Sequence, residues 1–539
     1  MQVRFWGAAH EVTGSMHQVN VGDQRILVDC GLVQGSGKEV FDRNSHFPFD
    51  PGEINAVVLS HAHVDHSGNL PSLGRQGFTG AIHTTASSLE LCRYMLADSA
   101  QLQGQDAMEM QARGRGRSQI ETDRAMPAVL ALYTAEDVEN VLGKFVPMHY
   151  GKEREIAPGV SVTLGNAGHI LGSAFVSMKL RESNSSTNLL FSGDLERRGL
   201  PIIKDPAVAP KADYLILEST YGDRRHSHRI TAKQKLRQAI ERAVARGGRV
   251  IVPSFALGRT QQIVLLLHQL LLESSLPEVP IFVDSPLAIN VMDVYRDHPE
   301  EFDQEAQQFL SNGLDPFAFG RLHYLRTAAE SKVLNDVRKP LVVISSSGMC
   351  EGGRVLHHLK HGTESPQNLI LLTGYQAEHT LGRSIAERQP VVSIMGEQYA
   401  LRAEVVMLDE LSCHADQYDL LEWVHPIAES LKAIFLVHGE PQSQAALAEL
   451  LKKEFSVSVC CPARGDNSVF KNGRAPHTSE REPPGPLTAL YAGRKRLSRL
   501  PEIMFCNWLQ RLDCSSLVEM DDGVKLVREL RAKVVTRKF

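Results

Sequence analysis

The sequence reads His-Ala-His-Val-Asp-His at residues 61–66, and four of these six side chains can bind a metal ion. The motif directly follows an apolar run, 56–60, which is typical of a buried strand. It should therefore lie on the loop at the carboxyl end of that strand, where several side chains can turn toward one point. Imidazole and carboxylate groups without a thiolate favour zinc, with manganese or iron as alternatives.

Further metal-binding side chains stand near the ends of other strand-like runs. Asp29 follows 26–28, His169 lies in the run 168–173, Asp194 follows 189–193, and His438 follows 435–437. One loop cannot supply four ligands to a tetrahedral ion and leave it open to a substrate, so ligands from elsewhere are needed. Polar residues at several strand ends predict one site along one edge of the sheets.

The pattern changes after about residue 213, where short apolar runs alternate with helical periodicity. The runs are 214–217, 249–252, 281–283, 341–344 and 369–372, and the clearest helical segments are 230–245 and 260–272. Buried runs that alternate with helices predict a parallel sheet covered by helices on its faces. We therefore expect a Rossmann-like α/β unit over about 223–400.

Taken together, these motifs resemble the metallo-β-lactamase fold. Asp-Cys-Gly at 29–31, the motif at 61–66, Gly-His at 168–169 and Ser-Gly-Asp at 192–194 follow the order of that fold. The resemblance extends to the β-CASP nucleases, because residues 218–222, 411–416 and 437–440 resemble their motifs A, B and C. Residues 247–260 and 347–354 resemble their inserted domain. The resemblance covers about 1–465.

This resemblance implies an α/β protein in which an αββα metallo-β-lactamase domain carries an inserted Rossmann-like β-CASP domain. The expected boundaries are 1–222 for the first part of the metal domain, 223–400 for the β-CASP domain and 401–465 for the second part. Residues 466–539 form a C-terminal extension of unknown role. Histidine in motif C favours the bacterial and archaeal RNA-processing members, which are related to the endonuclease subunit of the cleavage and polyadenylation machinery.

The resemblance also implies two zinc ions per chain. His61, His63, His169 and Asp194 would hold one ion, and Asp65, His66, His438 and again Asp194 would hold the second. A shared Asp194 is reasonable because a bridging carboxylate offsets the repulsion between two neighbouring dications. Asp29 would orient a ligand histidine or the ligand loop.

The implied activity is hydrolysis of RNA phosphodiester bonds, endonucleolytic in the main, with 5′-exonuclease cleavage as a second mode. His414, hydrogen-bonded to Glu218, would protonate the leaving alkoxide, and Asp65 is counted among the catalytic residues. Outside this family, Glu218 would be a strand-end carboxylate and His414 a residue at a helix N-terminus. Ser347 and Gly348 lie in a strand-to-helix turn whose N–H groups could bind an RNA phosphate, and a plain tight turn is the alternative.

Composition limits the classes of protein that fit. Of 539 residues, 42% are hydrophobic and 22% charged, which excludes a collagen, a wholly disordered chain and a disulfide scaffold. With a net charge of −5, any nucleic-acid site must be local rather than surface-wide. Single-stranded RNA is the partner that the resemblance implies. The basic tail after residue 474 could add RNA affinity or support a homodimer. No secretory signal or membrane span is recognisable, and the unpatterned cysteines suggest a reducing compartment, so a cytoplasmic location is expected.

Two other functions stay open at this point. The first is a small-molecule (thio)ester hydrolase of the same metal fold, although the large insert and the Glu218–His414 pair exceed what a small substrate requires. The second is a metal-bound RNA-binding subunit without activity, although such proteins usually lose ligands and all seven are present here. Two positions depart from the family pattern, His379 and Cys413, and we expect both to be tolerated.

Overall fold

The computed structural model describes residues 1–35, 37–114, 131–183, 185–225, 229–374, 376, 380–411, 414–470 and 477–479. All of them lie in the first of two units into which the chain divides, Met1–Glu480. Within these ranges, no helix combines the length and the apolar character that crossing a bilayer requires.

The strands of the structure belong to four sheets. In chain order they are β1 (Gln2–Gly7), β2 (Met16–Val21), β3 (Gln24–Val28), β4 (Ala56–Val58), β5 (Ala81–Thr85), β6 (Phe145–Met148), β7 (Arg154–Ala157), β8 (Val160–Asn166), β9 (Ala174–Glu182), β10 (Ser185–Phe191), β11 (Tyr214–Glu218), β12 (Val250–Pro253), β13 (Ile281–Val283), β14 (Leu322–Tyr324), β15 (Val342–Ser345), β16 (Leu369–Leu372), β17 (Val391–Ile394), β18 (Glu397–Ala400), β19 (Glu404–Met407), β20 (Ala433–Val437), β21 (Ser458–Cys460), β22 (Asn467–Val469) and β23 (His477–Ser479).

The helices lie between these strands. In chain order they are α1 (Lys38–Ser45), α2 (Val64–Ser67), α3 (Leu70–Arg75), α4 (Ala86–Gly114), α5 (Ala135–Leu142), α6 (Arg229–Ala245), α7 (Arg259–Leu272), α8 (Pro286–Asp297), α9 (Gln304–Ser311), α10 (Ala328–Asp336), α11 (Val355–Gly362), α12 (Leu381–Ala386), α13 (Gln417–Val424) and α14 (Pro441–Glu454).

Two sheets form the centre of the metal-binding part. One has the order β23-β22-β1-β2-β3-β4-β5-β6, and the other has the order β21-β20-β11-β10-β9-β8-β7. Their inner faces share one apolar core, to which Val19 and Val58 of the first sheet and Val176, Ile216 and Phe435 of the second contribute. Side chains alternate between the two faces of a strand, and many of the outward-facing residues of these sheets are apolar too, so the outer faces need cover.

Helices cover both outer faces. Leu27, Val57 and Ile82 of the first sheet pack in the same core as Leu91 of α4 and Val138 of α5. On the second sheet, Leu215, Leu217 and Leu436 pack in one core with Leu420 of α13 and Leu447 of α14. The layer order is therefore helix, sheet, sheet, helix.

A third, six-stranded sheet is built from the residues between β11 and β20. Its order is β14-β13-β15-β12-β16-β19, and every registered pair in it is parallel. Alternate residues of β12 face opposite sides, since Val250 and Val252 join one core while Ile251 joins another. This is the parallel sheet between helices that the alternating runs predict. A separate hairpin, β17–β18, follows it.

In the two central sheets, several strands end close to one another. β3 and β4 run parallel in the first sheet, and β10, β11 and β20 run parallel in the second. Asp29, Asp194 and His438 therefore leave the carboxyl ends of strands, as Glu218 does at the last position of β11. The direction of these strands collects polar residues that are far apart in sequence.

Candidate metal centre

One group of four side chains surrounds a point suited to a tetrahedral ion. His63 Nδ1 lies 3.1 Å from both His61 Nε2 and His169 Nε2. Asp194 Oδ2 lies 3.6 Å from each of those two Nε2 atoms. Four ligands at about 2.0–2.1 Å from a zinc ion would be roughly 3.3–3.4 Å apart, so these spacings match a tetrahedral site.

A second group lies beside the first. His66 Nε2 and His438 Nε2 are 3.1 Å apart, and Asp65 Oδ2 lies 3.4 Å from His438 Nε2 and 3.9 Å from His66 Nε2. Asp194 Oδ2 is also only 3.3 Å from His66 Nε2. One carboxylate oxygen thus stands between the two groups, as the sharing of Asp194 requires.

The burial of Asp194 is further evidence that these residues fit a cation. The side chain is 3% exposed, and its Oδ1 has no hydrogen-bond partner among the described residues. Burial favours the neutral acid, but electrostatic interaction with His438 and His66 outweighs it and holds the pKa of Asp194 well below its usual value. A buried carboxylate with an unpaired oxygen needs a positive charge, which a metal ion would supply.

Asp29 fixes the orientation of two of these imidazoles. Its Oδ2 lies 2.7 Å from His66 Nδ1 and accepts a hydrogen bond from Ser60 Oγ at 3.0 Å. Ser60 Oγ is in turn 3.0 Å from His61 Nδ1. Because the hydroxyl donates to Asp29, it accepts from His61 Nδ1–H, so the Nε2 atoms of both rings are left as electron-pair donors.

Thr220 plays the corresponding part for His438. The Thr220 hydroxyl donates to the carbonyl of His438 at 3.1 Å and lies 3.0 Å from His438 Nδ1. It therefore accepts from Nδ1–H, and Nε2 is the nitrogen directed at the second group. Sequence reasoning did not single out Thr220 or Ser60. The only sequence features that could have indicated them are that Thr220 lies inside motif A and that Ser60 directly precedes His61.

Burial keeps two of the imidazoles neutral. It lowers the pKa of His61 well below its usual value and that of His63 to about 4. His66 behaves in the opposite way: burial opposes its charge, but the carboxylates of Asp194 and Asp29 raise its pKa well above the usual value. The pocket thus favours neutral rings at His61 and His63 and a charged ring at His66. Because metal binding needs neutral imidazoles, His66 would have to release its Nε2 proton when an ion binds.

Glu218 and His414 form a pair at the edge of this cluster. Glu218 is fully buried, and its Oε2 lies 3.1 Å from His414 Nδ1, while its Oε1 accepts the Leu195 N–H at 2.6 Å. Burial lowers the pKa of His414, but the charge and hydrogen bond of Glu218 outweigh this and raise it to about 9. Both side chains also lie within 4.8 Å of Asp194 and His438 at their ligand atoms, so by position alone they could instead bind a cation.

Two further residues of the sequence motifs, Asp416 and Gly31, shape the backbone near the candidate site. Asp416 caps α13 by accepting the N–H groups of Tyr418 at 2.8 Å and Asp419 at 3.1 Å, which fixes the chain two residues after His414. Gly31 lets the strand end of Asp29 approach the ligand loop, because a Cβ there would lie 1.6 Å from the Asp65 carbonyl oxygen.

Ser347 and Gly348 lie on the loop after β15 and contribute no atom to the metal-binding groups. Ser347 Oγ accepts the Glu351 N–H at 3.1 Å. The Gly348 carbonyl accepts from Gln376 Nε2 at 3.1 Å, and a Cβ at Gly348 would lie 2.6 Å from the Phe255 ring. Their part in phosphate binding stays a prediction. The positions of His379 and Cys413 lie outside the described residues.

Replacing Asp29 with asparagine should weaken metal binding and RNA cleavage by about 10–100-fold, the range typical for the partner of a ligand histidine. Asparagine tolerates the backbone of Asp29, whose φ is 59°, but it removes the charge that holds His66 and Ser60. Zinc affinity, measured by competition with a chelator, checks this. The control is Asp23→Asn, an exposed residue in the turn between β2 and β3. Unchanged affinity in Asp29→Asn would contradict the expected role.

Three family profiles match consecutive segments of the chain. A metallo-β-lactamase superfamily profile matches residues 15–254, a Beta-Casp domain profile matches 260–385, and a profile described as a Zn-dependent metallo-hydrolase RNA specificity domain matches 398–462. These matches confirm the predicted fold class, a metallo-β-lactamase domain with a β-CASP insert.

Curated relatives match along most of their length. Over 452 residues the chain is 37% identical to Ribonuclease TTHA0252 of Thermus thermophilus, which covers 84% of this chain and 96% of that protein. It is 28% identical over 476 residues to Transcription termination factor FttA of Methanocaldococcus jannaschii, covering 86% of this chain and 71% of that protein. It is also 29% identical over 470 residues to an RNase J-like protein of the same archaeon, with 86% and 98% covered.

Proposed function

This chain belongs to the metallo-β-lactamase β-CASP ribonuclease family, and on that premise we propose that it hydrolyses RNA phosphodiester bonds with two zinc ions. The predicted enzyme class, a metal-dependent hydrolase, is confirmed by these comparisons. The observation that carries the two-ion proposal is the position of Asp194 Oδ2. It lies 3.3 Å from His66 Nε2 and 3.6 Å from His61 and His169 Nε2, between two groups of ligand atoms.

The proposed ligands are the ones predicted from the sequence. His61, His63, His169 and Asp194 hold one ion, and Asp65, His66, His438 and Asp194 hold the other. When bound, such ions supply a water that ionises near neutral pH and positive charge that stabilises the phosphate during attack. The chain itself fixes the rings of His61, His66 and His438 through Asp29, Ser60 and Thr220, so that little reorganisation of these rings is needed before the reaction.

His414 is the proposed general acid. A leaving alkoxide is a strong base, and a proton delivered to it in the transition state typically contributes about 10²–10⁴-fold to the rate. Glu218 keeps the His414 ring charged at neutral pH, since it raises the pKa to about 9 despite burial. Because Nδ1 faces Glu218, Nε2 is the nitrogen that would hand over the proton.

The proposed substrate is single-stranded RNA. It is supported by the match of residues 398–462 to the profile of an RNA specificity domain, and by the relative named as a ribonuclease. The matched segment contains both His414 and His438, so the proposed acid and one proposed ligand lie within the RNA specificity domain. Cleavage is proposed to be mainly endonucleolytic, with 5′-exonuclease cleavage as a second mode. A cytoplasmic location and a homodimer stay predictions.

An RNA cleavage assay tests this function directly. Single-stranded RNA labelled at either end should be cut internally by the purified protein, and a chelator should remove the activity by withdrawing the ions from both groups. Added zinc should restore it, and DNA of the same sequence serves as the matched control. Binding without cleavage would favour a subunit without activity. Cleavage of a (thio)ester but not of RNA would favour the small-molecule hydrolase.

A further inference from the structure

The loop that carries His169 is held at its backbone by residues of the metal-binding part. This loop joins β8 to β9, and the Gly172 carbonyl accepts hydrogen bonds from Thr85 Oγ1 at 2.7 Å and Ser88 Oγ at 2.9 Å. The Tyr150 hydroxyl donates to the Ser173 carbonyl at 2.9 Å. Gly172 has a φ of 77°, and a Cβ there would lie 2.6 Å from the Ser88 nitrogen.

Residues of the inserted domain hold the other side of the same loop. The Gly172 N–H donates to Glu301 Oε2 at 2.7 Å, and the Leu171 N–H donates to the Tyr295 hydroxyl at 3.4 Å. Gly258 approaches so closely that a Cβ there would lie 2.8 Å from Ile170 Cγ2. The insert therefore supplies the acceptors for two successive N–H groups just after a proposed metal ligand.

Glu301 is itself fixed in place. It is 9% exposed, and the Ser87 hydroxyl, at the start of α4, donates to its Oε1. The Glu301 carbonyl accepts the Lys204 N–H at 3.1 Å, and the next residue but one, Asp303, donates its N–H to the Ile202 carbonyl at 2.7 Å. Residues 202–204 follow Asp194 in the chain, so the same short segment of the insert reaches both ligand-bearing loops.

We infer that Glu301 is a positioning residue through which the inserted domain completes the metal site, by holding the loop of His169. The inference rests on the proposed function for the identity of the ion, but not for the contacts. A buried N–H that loses its acceptor is costly, so without Glu301 the loop would rearrange to satisfy Gly172. His169 would then no longer be held with its Nε2 3.1 Å from His63 Nδ1.

The test compares zinc binding by Glu301→Ala and Glu301→Gln in the full-length protein. Alanine removes the acceptor of the Gly172 N–H, and we expect about 10–100-fold weaker binding of one of the two ions. The side-chain oxygen of glutamine can still accept the Gly172 N–H, and its NH2 group can donate to the Ser87 hydroxyl. This variant should therefore have a zinc affinity within a few-fold of the wild type. Affinity is measured by competition with a chelator, so it does not depend on RNA cleavage.

The matched control is Glu300→Ala, because Glu300 is the adjacent carboxylate, is 66% exposed and bonds His298 Nδ1 at 2.9 Å. It should bind zinc as the wild type does. If the chain also proves to be a ribonuclease, Glu301→Ala should cleave slowly at limiting zinc and recover at saturating zinc, with KM for RNA unchanged. A purely structural role would lower thermal stability without this zinc dependence.

Wild-type zinc affinity in Glu301→Ala would overturn the inference, whether or not the metal-free protein becomes less stable. If this variant does not fold, Tyr295→Phe provides the second measurement, because it removes only the hydroxyl that accepts the Leu171 N–H. Weaker zinc binding in Tyr295→Phe would support the inference, and unchanged affinity would overturn it. Absence of RNA cleavage with normal zinc loading in the wild type would instead count against the proposed function alone.

Discussion

His63→Ala is expected to lose one of two zinc ions and to reduce RNA cleavage by more than about 100-fold, beyond the loss typical for a residue that only supports a ligand. His63 Nδ1 belongs to the first group and lies 3.1 Å from both His61 Nε2 and His169 Nε2. Burial lowers its pKa to about 4, so it presents a neutral nitrogen at neutral pH. Alanine offers no donor atom in its place.

The ion count separates this expectation from simple misfolding. The second group, Asp65, His66 and His438, keeps its ligands in His63→Ala, so elemental analysis should find one zinc per chain instead of two. His149→Ala is the matched control, since His149 is exposed in the turn after β6. It should keep both ions and full activity. Two retained ions in a folded His63→Ala protein would remove His63 from the ligand set.

His414→Ala is expected to slow RNA cleavage by about 10²–10⁴-fold at neutral pH while both zinc ions stay bound. The reason is the direction of the shift in its pKa. Burial lowers the pKa, and Glu218 raises it by more, to about 9, so the ring is protonated at neutral pH and can serve as an acid. Cations bound near Asp194 would lower this pKa, because Asp194 Oδ2 is 3.9 Å from His414 Nδ1.

The pH–rate profile gives the decisive measurement for His414. A group with a raised pKa acts as an acid below that pKa, so wild-type activity should fall as the pH rises through it, at about pH 9 or lower. His414→Ala should lack this alkaline decline, and Glu218→Gln should move it to lower pH. His425→Ala, an exposed histidine just after α13, is the control. Loss of zinc in His414→Ala would instead make it a ligand, a role that its position near Asp194 and His438 also allows.

The architecture was largely predictable because its signals are local. Buried parallel strands between helices show as short apolar runs alternating with helical periodicity, and the run 281–283 is β13 without a shift of boundary. Helix ends were less sharp: the predicted segment 230–245 begins one residue earlier in α6 (Arg229–Ala245). A propensity pattern sets the type of an element, whereas its last hydrogen bonds depend on neighbours outside the pattern.

The residues around the candidate site divide in the same way. The ligand types were visible because histidine and aspartate cluster at strand ends in motifs such as 61–66. Glu301 gave no such signal, since it lies in an ordinary Pro-Glu-Glu sequence 132 positions after His169, and its contact with Gly172 exists only in the folded chain. The roles of Ser60 and Thr220 were equally unpredictable from the sequence. A hydroxyl residue next to a metal-binding residue is common, and only the folded structure shows whether it bonds to that residue's ring.

By itself the sequence determined which side chains can bind a metal ion, because this follows from residue type. It also determined that these side chains lie at the ends of strands, because this follows from short-range periodicity. The tertiary structure decided which nitrogen of each ring faces the other candidate ligands, that Asp194 Oδ2 stands between two groups, and that residues of the insert hold the backbone of the His169 loop. These features depend on distances between residues hundreds of positions apart, such as the 3.1 Å from His66 to His438. Only the packing of the three sheets fixes such distances.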